Sequence, residues 1–97
     1  MALTTPTLPA LEQQEEQKTK PEKSWRVILY NDDIHAFDDV VLWVQKATGY
    51  SHEMATQITD TANRTGRSVC YKGDKEDCGK VCRYLRGHGL QVELDDF

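Results

Sequence analysis

The sequence predicts an α+β domain, a two-layer sandwich in which a three-stranded antiparallel sheet packs on three helices in the order β-α-α-β-α-β. Three observations lead there. Apolar residues recur at helical spacing in three separate stretches. Three short runs read as strands, two of them rich in β-branched and aromatic residues and one alternating apolar with polar. And 97 residues can bury one core but not two, which makes one helix layer on one sheet layer the economical arrangement.

Residues 1–23 are rich in Thr, Pro, Gln, Glu and Lys and carry almost no large apolar side chain, so they cannot bury enough surface to offset the entropy of ordering. A disordered, flexible arm is expected there, ahead of a core domain over 24–97. The run from Trp25 to Tyr30 is the first strand, stopped by the turn-favouring Asn31, Asp32 and Asp33. Phe37, Val40, Val41, Val44 and Ala47 mark the inner face of a helix from about Ala36 to Thr48. Asp38 and Asp39 favour its N-terminus and Gly49 stops it.

Ser51 caps a second helix whose buried face is Met54, Ala55, Ile58 and Ala62, and Gly66 ends it. Arg67 to Tyr71 reads as the second strand. Gly73 and Asp74 then turn the chain, and Asp74 caps a third helix that directs Cys78, Val81, Cys82 and Leu85 inward, with Gly79 weakening it by about 1 kcal/mol relative to Ala. Gly87 and Gly89 close that helix. Leu90, Val92 and Leu94, alternating with Gln91 and Glu93, form a final half-buried strand.

Composition narrows the function classes. Acidic residues outnumber basic ones, 16 to 12, for a formal net charge of −4, and no continuous basic stripe could track a phosphate backbone; nucleic acid is not an expected partner. The first 17 residues hold no Lys or Arg and no sustained apolar run, so neither a targeting peptide nor a membrane anchor is expected and the protein should be cytoplasmic. Cys70, Cys78 and Cys82 are three, cannot pair off completely and lack a C-x-x-C spacing, so reduced thiols are expected. Cys78 and Cys82, one turn apart, could with His88 be soft metal ligands, but burial as small hydrophobes explains them better. No metal or cofactor is expected.

The densest polar cluster is Asn31, Asp32 and Asp33, between a strand and a helix. Ile34, His35 and Ala36 follow it without the alternating oxygen ligands and turn glycine of a calcium loop. Nothing supplies a nucleophile beside a base, and spacing gives His35, His52 and His88 no recognisable partner, so the chain is not expected to be an enzyme. By turn chemistry alone the cluster is a solvated turn.

The stretch from Trp25 to Asp33, then Phe37 to Val44, then Ala55-Thr56-Gln57 leading into Gly66-Arg67, resembles the ClpS family, the adaptors of the bacterial and plastid N-degron pathway. The resemblance runs from about Ser24 to the C-terminus. It implies an adaptor that captures proteins by a bulky hydrophobic N-terminal residue and delivers them to a Clp AAA+ ATPase, of the ClpA or ClpC type, by docking on its N-terminal domain while the arm reaches the unfolding pore. Asn31, Asp32 and Asn63 would bind the α-amino group and first peptide units, with Asp33 at the mouth. That amine, with a pKa near 8, is mostly an ammonium at neutral pH and needs acceptors.

The resemblance also implies a pocket for the first side chain, formed by Phe37, Val40, Thr59, Ala62 and Leu90; for Val40 and Leu90 periodicity is equally met by plain core packing. Glu76 and Lys80 match the docking charges, and a monomer is expected. Four departures bear on specificity. Asn63 stands where most members have a histidine, so that position keeps an acceptor but no longer titrates. Phe37 and Thr59 replace methionines common in the family, and Ala62 a larger aliphatic, which implies a reshaped preference. These departures keep open a second possibility, a regulator that docks on the ATPase without binding N-degrons.

Overall fold

The structure, a computed structural model, describes residues 25–96, so the expected arm over 1–23 lies outside the described residues. The chain runs β1 (Trp25–Tyr30), α1 (Phe37–Thr48), α2 (His52–Thr65), β2 (Arg67–Gly73), α3 (Lys75–Gly87) and β3 (Val92–Asp96), the predicted order. The sheet is antiparallel throughout, with strand order β2-β1-β3, so the first strand lies in the middle. That position explains why Val27, Ile28 and Leu29 are all buried. Val27 and Leu29 join the core under the helices, whereas Ile28 lies outside that cluster, as a period of two requires.

Local chemistry sets the boundaries. Ser51 Oγ accepts the Met54 N–H at 3.1 Å and Asp74 Oδ1 accepts the Asp77 N–H at 2.8 Å, each satisfying a helix donor that has no intrahelical partner. Gly49 and Gly66 take φ of 81° and 103° to end α1 and α2, a conformation most residues resist. Ala36 is extended and has no side-chain oxygen to offer, so α1 starts at Phe37 and Ala36 serves as an unbonded N-cap.

Some details differ from expectation. Met54 is 46 % exposed: α2 buries Ala55, Ile58, Thr59 and Ala62, and Met54 lies roughly a quarter turn round from the centre of that stripe. The second strand continues past Tyr71 to Gly73 because Arg26 and Trp25 still pair with Lys72 and Gly73. A register shift between Val27 and Ile28 leaves Cys70 without an opposite residue, a bulge that turns its side chain into the core. Leu90 is buried but precedes β3, which starts at Val92. Among the described residues no helix is long and apolar enough to cross a membrane.

Candidate functional site

At its C-terminal end β1 hands the chain to a loop that is tied down on both sides. The Tyr30 N–H donates to Gln91 O at 3.0 Å, and the Asn31 N–H donates to Gly66 O at 2.9 Å. The loop is therefore pinned to the start of β2 and the approach to β3 before its side chains do anything.

Within the loop Asp32 is the organising residue. Its Oδ1 accepts the backbone N–H groups of Ile34 (2.7 Å) and His35 (2.8 Å), an Asx turn that shapes the path into α1. Its Oδ2 lies 2.7 Å from His35 Nδ1. Burial pushes the Asp32 pKa up, but the His35 N–H, the His35 ring and the Ile34 N–H more than offset it and hold the carboxyl below its ordinary range. Asp32 is thus a fixed carboxylate at neutral pH. Asn31 Nδ2 donates to Asp33 Oδ1 at 3.2 Å, using the nitrogen end of the amide and leaving the oxygen end to accept.

Beneath this loop is a cavity of about 110 Å³. Its floor and walls are Leu29 of β1, Phe37 and Val40 of α1, and Thr59 and Ala62 of α2; its rim is Tyr30, Asn31, Asp32, His35 and Asn63. Thr59 is buried, and its hydroxyl donates to Ala55 O at 2.8 Å, so the helix backbone satisfies it and the cavity meets no orphaned polar atom there. Asn63 lies on the exposed shoulder of α2, one residue beyond Ala62. A carboxylate and amide oxygens above an apolar recess suit a ligand that joins a donor-rich or cationic head to an apolar side chain.

Seven of the sequence-predicted site residues meet here: Asn31, Asp32, Asn63, Phe37, Val40, Thr59 and Ala62. Two do not. Asp33 is exposed beside Asn31 and outside the lining, and Leu90 is 4 % exposed in the core cluster, where it serves packing. Leu29, Tyr30 and His35 line the cavity without having been anticipated. For His35 the spacing argument misleads, since its partner is Asp32, three residues back in a loop. Only the habit of Asx side chains of capping the residues that follow them could have signalled the pair.

The Cys78, Cys82 and His88 combination is set aside by geometry. All three cysteines are free and buried, and burial pushes the Cys70 thiol up to about 12. His88 stacks on Trp43 with ring centroids 4.6 Å apart and meets Tyr84 at 4.8 Å. Among the described residues no group of three or more His, Cys, Asp or Glu could hold a metal ion. At the other end of β1 a shallower groove is lined by Trp25, Leu94 and the first turns of α3, including Glu76, with Lys75 Nζ 5.1 Å over the Trp25 ring. Lys80 is exposed on α3 and does not line that groove.

Fold and site together define a small α+β domain with a pocket carried on the exit of its central strand. Its family follows from comparison with known proteins. The family model of the ATP-dependent Clp protease adaptor protein ClpS matches residues 20–93. The ClpS adapter of Paraburkholderia phymatum is 41 % identical over 90 residues, covering 87 % of this chain and 86 % of that protein, and the ClpS adapter of Burkholderia mallei matches to the same extent. The solved ClpS2 of Agrobacterium tumefaciens, bound to L-phenylalaninamide, superimposes with a TM-score of 0.69 over 78 % of this chain and 99 % of that one at 20 % identity, a likeness of fold. The chain belongs to the ClpS family of Clp protease adaptors.

Proposed function

We propose that this adaptor captures proteins through a free N-terminal amine and a bulky apolar first side chain and delivers them to a Clp AAA+ ATPase, acting as a binding module rather than an enzyme. The observation that carries this reading is the fixed Asp32 carboxylate on the rim of a cavity whose apolar side chains are Leu29, Phe37, Val40 and Ala62. In it, Asn31, Asp32 and Asn63 take the ammonium and first peptide unit, while Phe37, Val40, Thr59 and Ala62 take the side chain. L-phenylalaninamide, the ligand of the Agrobacterium protein, has the same two features.

Phe37 takes space in this pocket and Ala62 gives some back, so the preference among bulky first residues is reshaped. Delivery is assigned to the opposite end of β1, about 17 Å away for six extended residues. There Glu76, together with Lys80 further along α3, meets the N-terminal domain of a ClpA- or ClpC-type ATPase, and the arm over 1–23 joins the domain at the same end. A cytoplasmic monomer suffices for both tasks.

The test is fluorescence anisotropy with labelled peptides differing only in residue one (Leu, Phe, Tyr, Trp, Val, Gly), each with a free and an acetylated N-terminus. Binding of the Leu peptide that disappears on acetylation is the expected result. No binding of any peptide would overturn it in favour of a regulator that docks on the ATPase without N-degrons.

A further inference from the structure

His35 is the least expected member of the rim, and its surroundings are built around it. Oδ1 of Asp32 already holds two backbone N–H groups, so Oδ2 is the oxygen left for side chains, and His35 Nδ1 lies 2.7 Å from it. An ionised carboxylate offers about four acceptor positions. Three are used within the loop, which leaves one on Oδ2 for a ligand.

The imidazole is itself held. Trp43 of α1 meets it edge-on, centroids 5.3 Å apart at 80°. From the turn after α3, Gly89 passes so close that a Cβ there would come within 3.3 Å of His35 Cε1 and 3.4 Å of Nε2; its φ of 86° also favours glycine. The side chains are 26 % (His35) and 11 % (Asp32) exposed, so the pair is partly shielded from water.

We propose that His35 is a positioning residue of this pocket: it clamps the Asp32 carboxylate for an incoming ammonium group. The proposal rests on the amine reading of the pocket. Because an ionised carboxylate only accepts, Nδ1 carries the proton of the neutral ring.

The test uses a free-amine Leu peptide without histidine at pH 7.5 against wild type, His35→Ala and His35→Asn. Asn keeps an N–H near the Nδ1 position. His35→Ala should bind about tenfold more weakly, the worth of a charge-assisted contact, and His35→Asn should recover most of that.

The ¹⁵N shifts of the His35 ring should show the Nδ1–H form in the wild type, a readout that stands even if an alanine variant folds poorly. Wild-type-like binding by a folded His35→Ala, a His35→Asn that binds no better than His35→Ala, or an Nε2–H ring would each overturn the positioning role. Failure of the wild type to bind the free-amine peptide at all would instead sink the amine reading, and this proposal with it.

Discussion

The two halves of the helix layer treat the same sheet in opposite ways. Under α3, Cys78, Val81, Cys82 and Leu85 are each 4 % exposed or less. Where the end of α2 meets the start of α1, Thr59 and Ala62 are small, Phe37 is 39 % exposed, and a cavity of about 110 Å³ stays open. One half is packed shut, and the other gives up some packing for a pocket. A protein of this size can do so because the core draws on all three helices, Val44 and Ala55 as well as Cys78 and Leu85.

The contrast can be broken at its packed side with the largest effect. Leu85→Ala should cost about 2–5 kcal/mol in urea unfolding, since a fully buried side chain leaves a cavity that the sheet cannot collapse to fill. Peptide affinity of the fraction still folded should not change. A loss below about 1 kcal/mol would show that the α3 half is not packed shut.

Filling the open side should do the reverse. Ala62→Met occupies the recess, so stability should move by less than about 1.5 kcal/mol while affinity for a Leu-initiated peptide falls at least about tenfold. Equal affinity would mean that the first side chain binds elsewhere. The smallest effect concerns Asp32. Its folded pKa is lowered, so the stabilisation it brings is present above the unfolded value near 3.9 and is lost as pH falls through the folded one. The stability gap between wild type and Asp32→Asn, read from urea midpoints, should therefore be widest at pH 5–7 and close on acidification toward pH 2. A gap independent of pH would contradict the Asx-turn account.

The packed half was the more legible in the sequence, and the reason is regularity. Cys78, Val81, Cys82 and Leu85 repeat at 3.6 residues behind the Asp74 cap, while Ser51, Gly49 and Gly66 made the bounds of the other two helices legible in the same way. The pocket was legible in part, because Phe37, Val40, Thr59, Ala62 and Asn63 sit on helices whose faces can be counted. Leu90 was misplaced because alternation identifies a buried residue but not the cavity or core it faces. Met54 failed at the edge of its stripe, where a quarter turn decides exposure. His35 could not be found by either period, since it lies in a loop whose shape comes from one carboxylate capping two backbone amides.

Strand order has a mechanical consequence. Because β1 is both the first described strand and the middle one, a force applied at Trp25 along the strand axis acts on the ladders to β2 and β3 together. Their hydrogen bonds run perpendicular to that direction, so they are loaded in shear and must give way as a set instead of unzipping one at a time. A pull at Trp25 meets both ladders of the sheet at once.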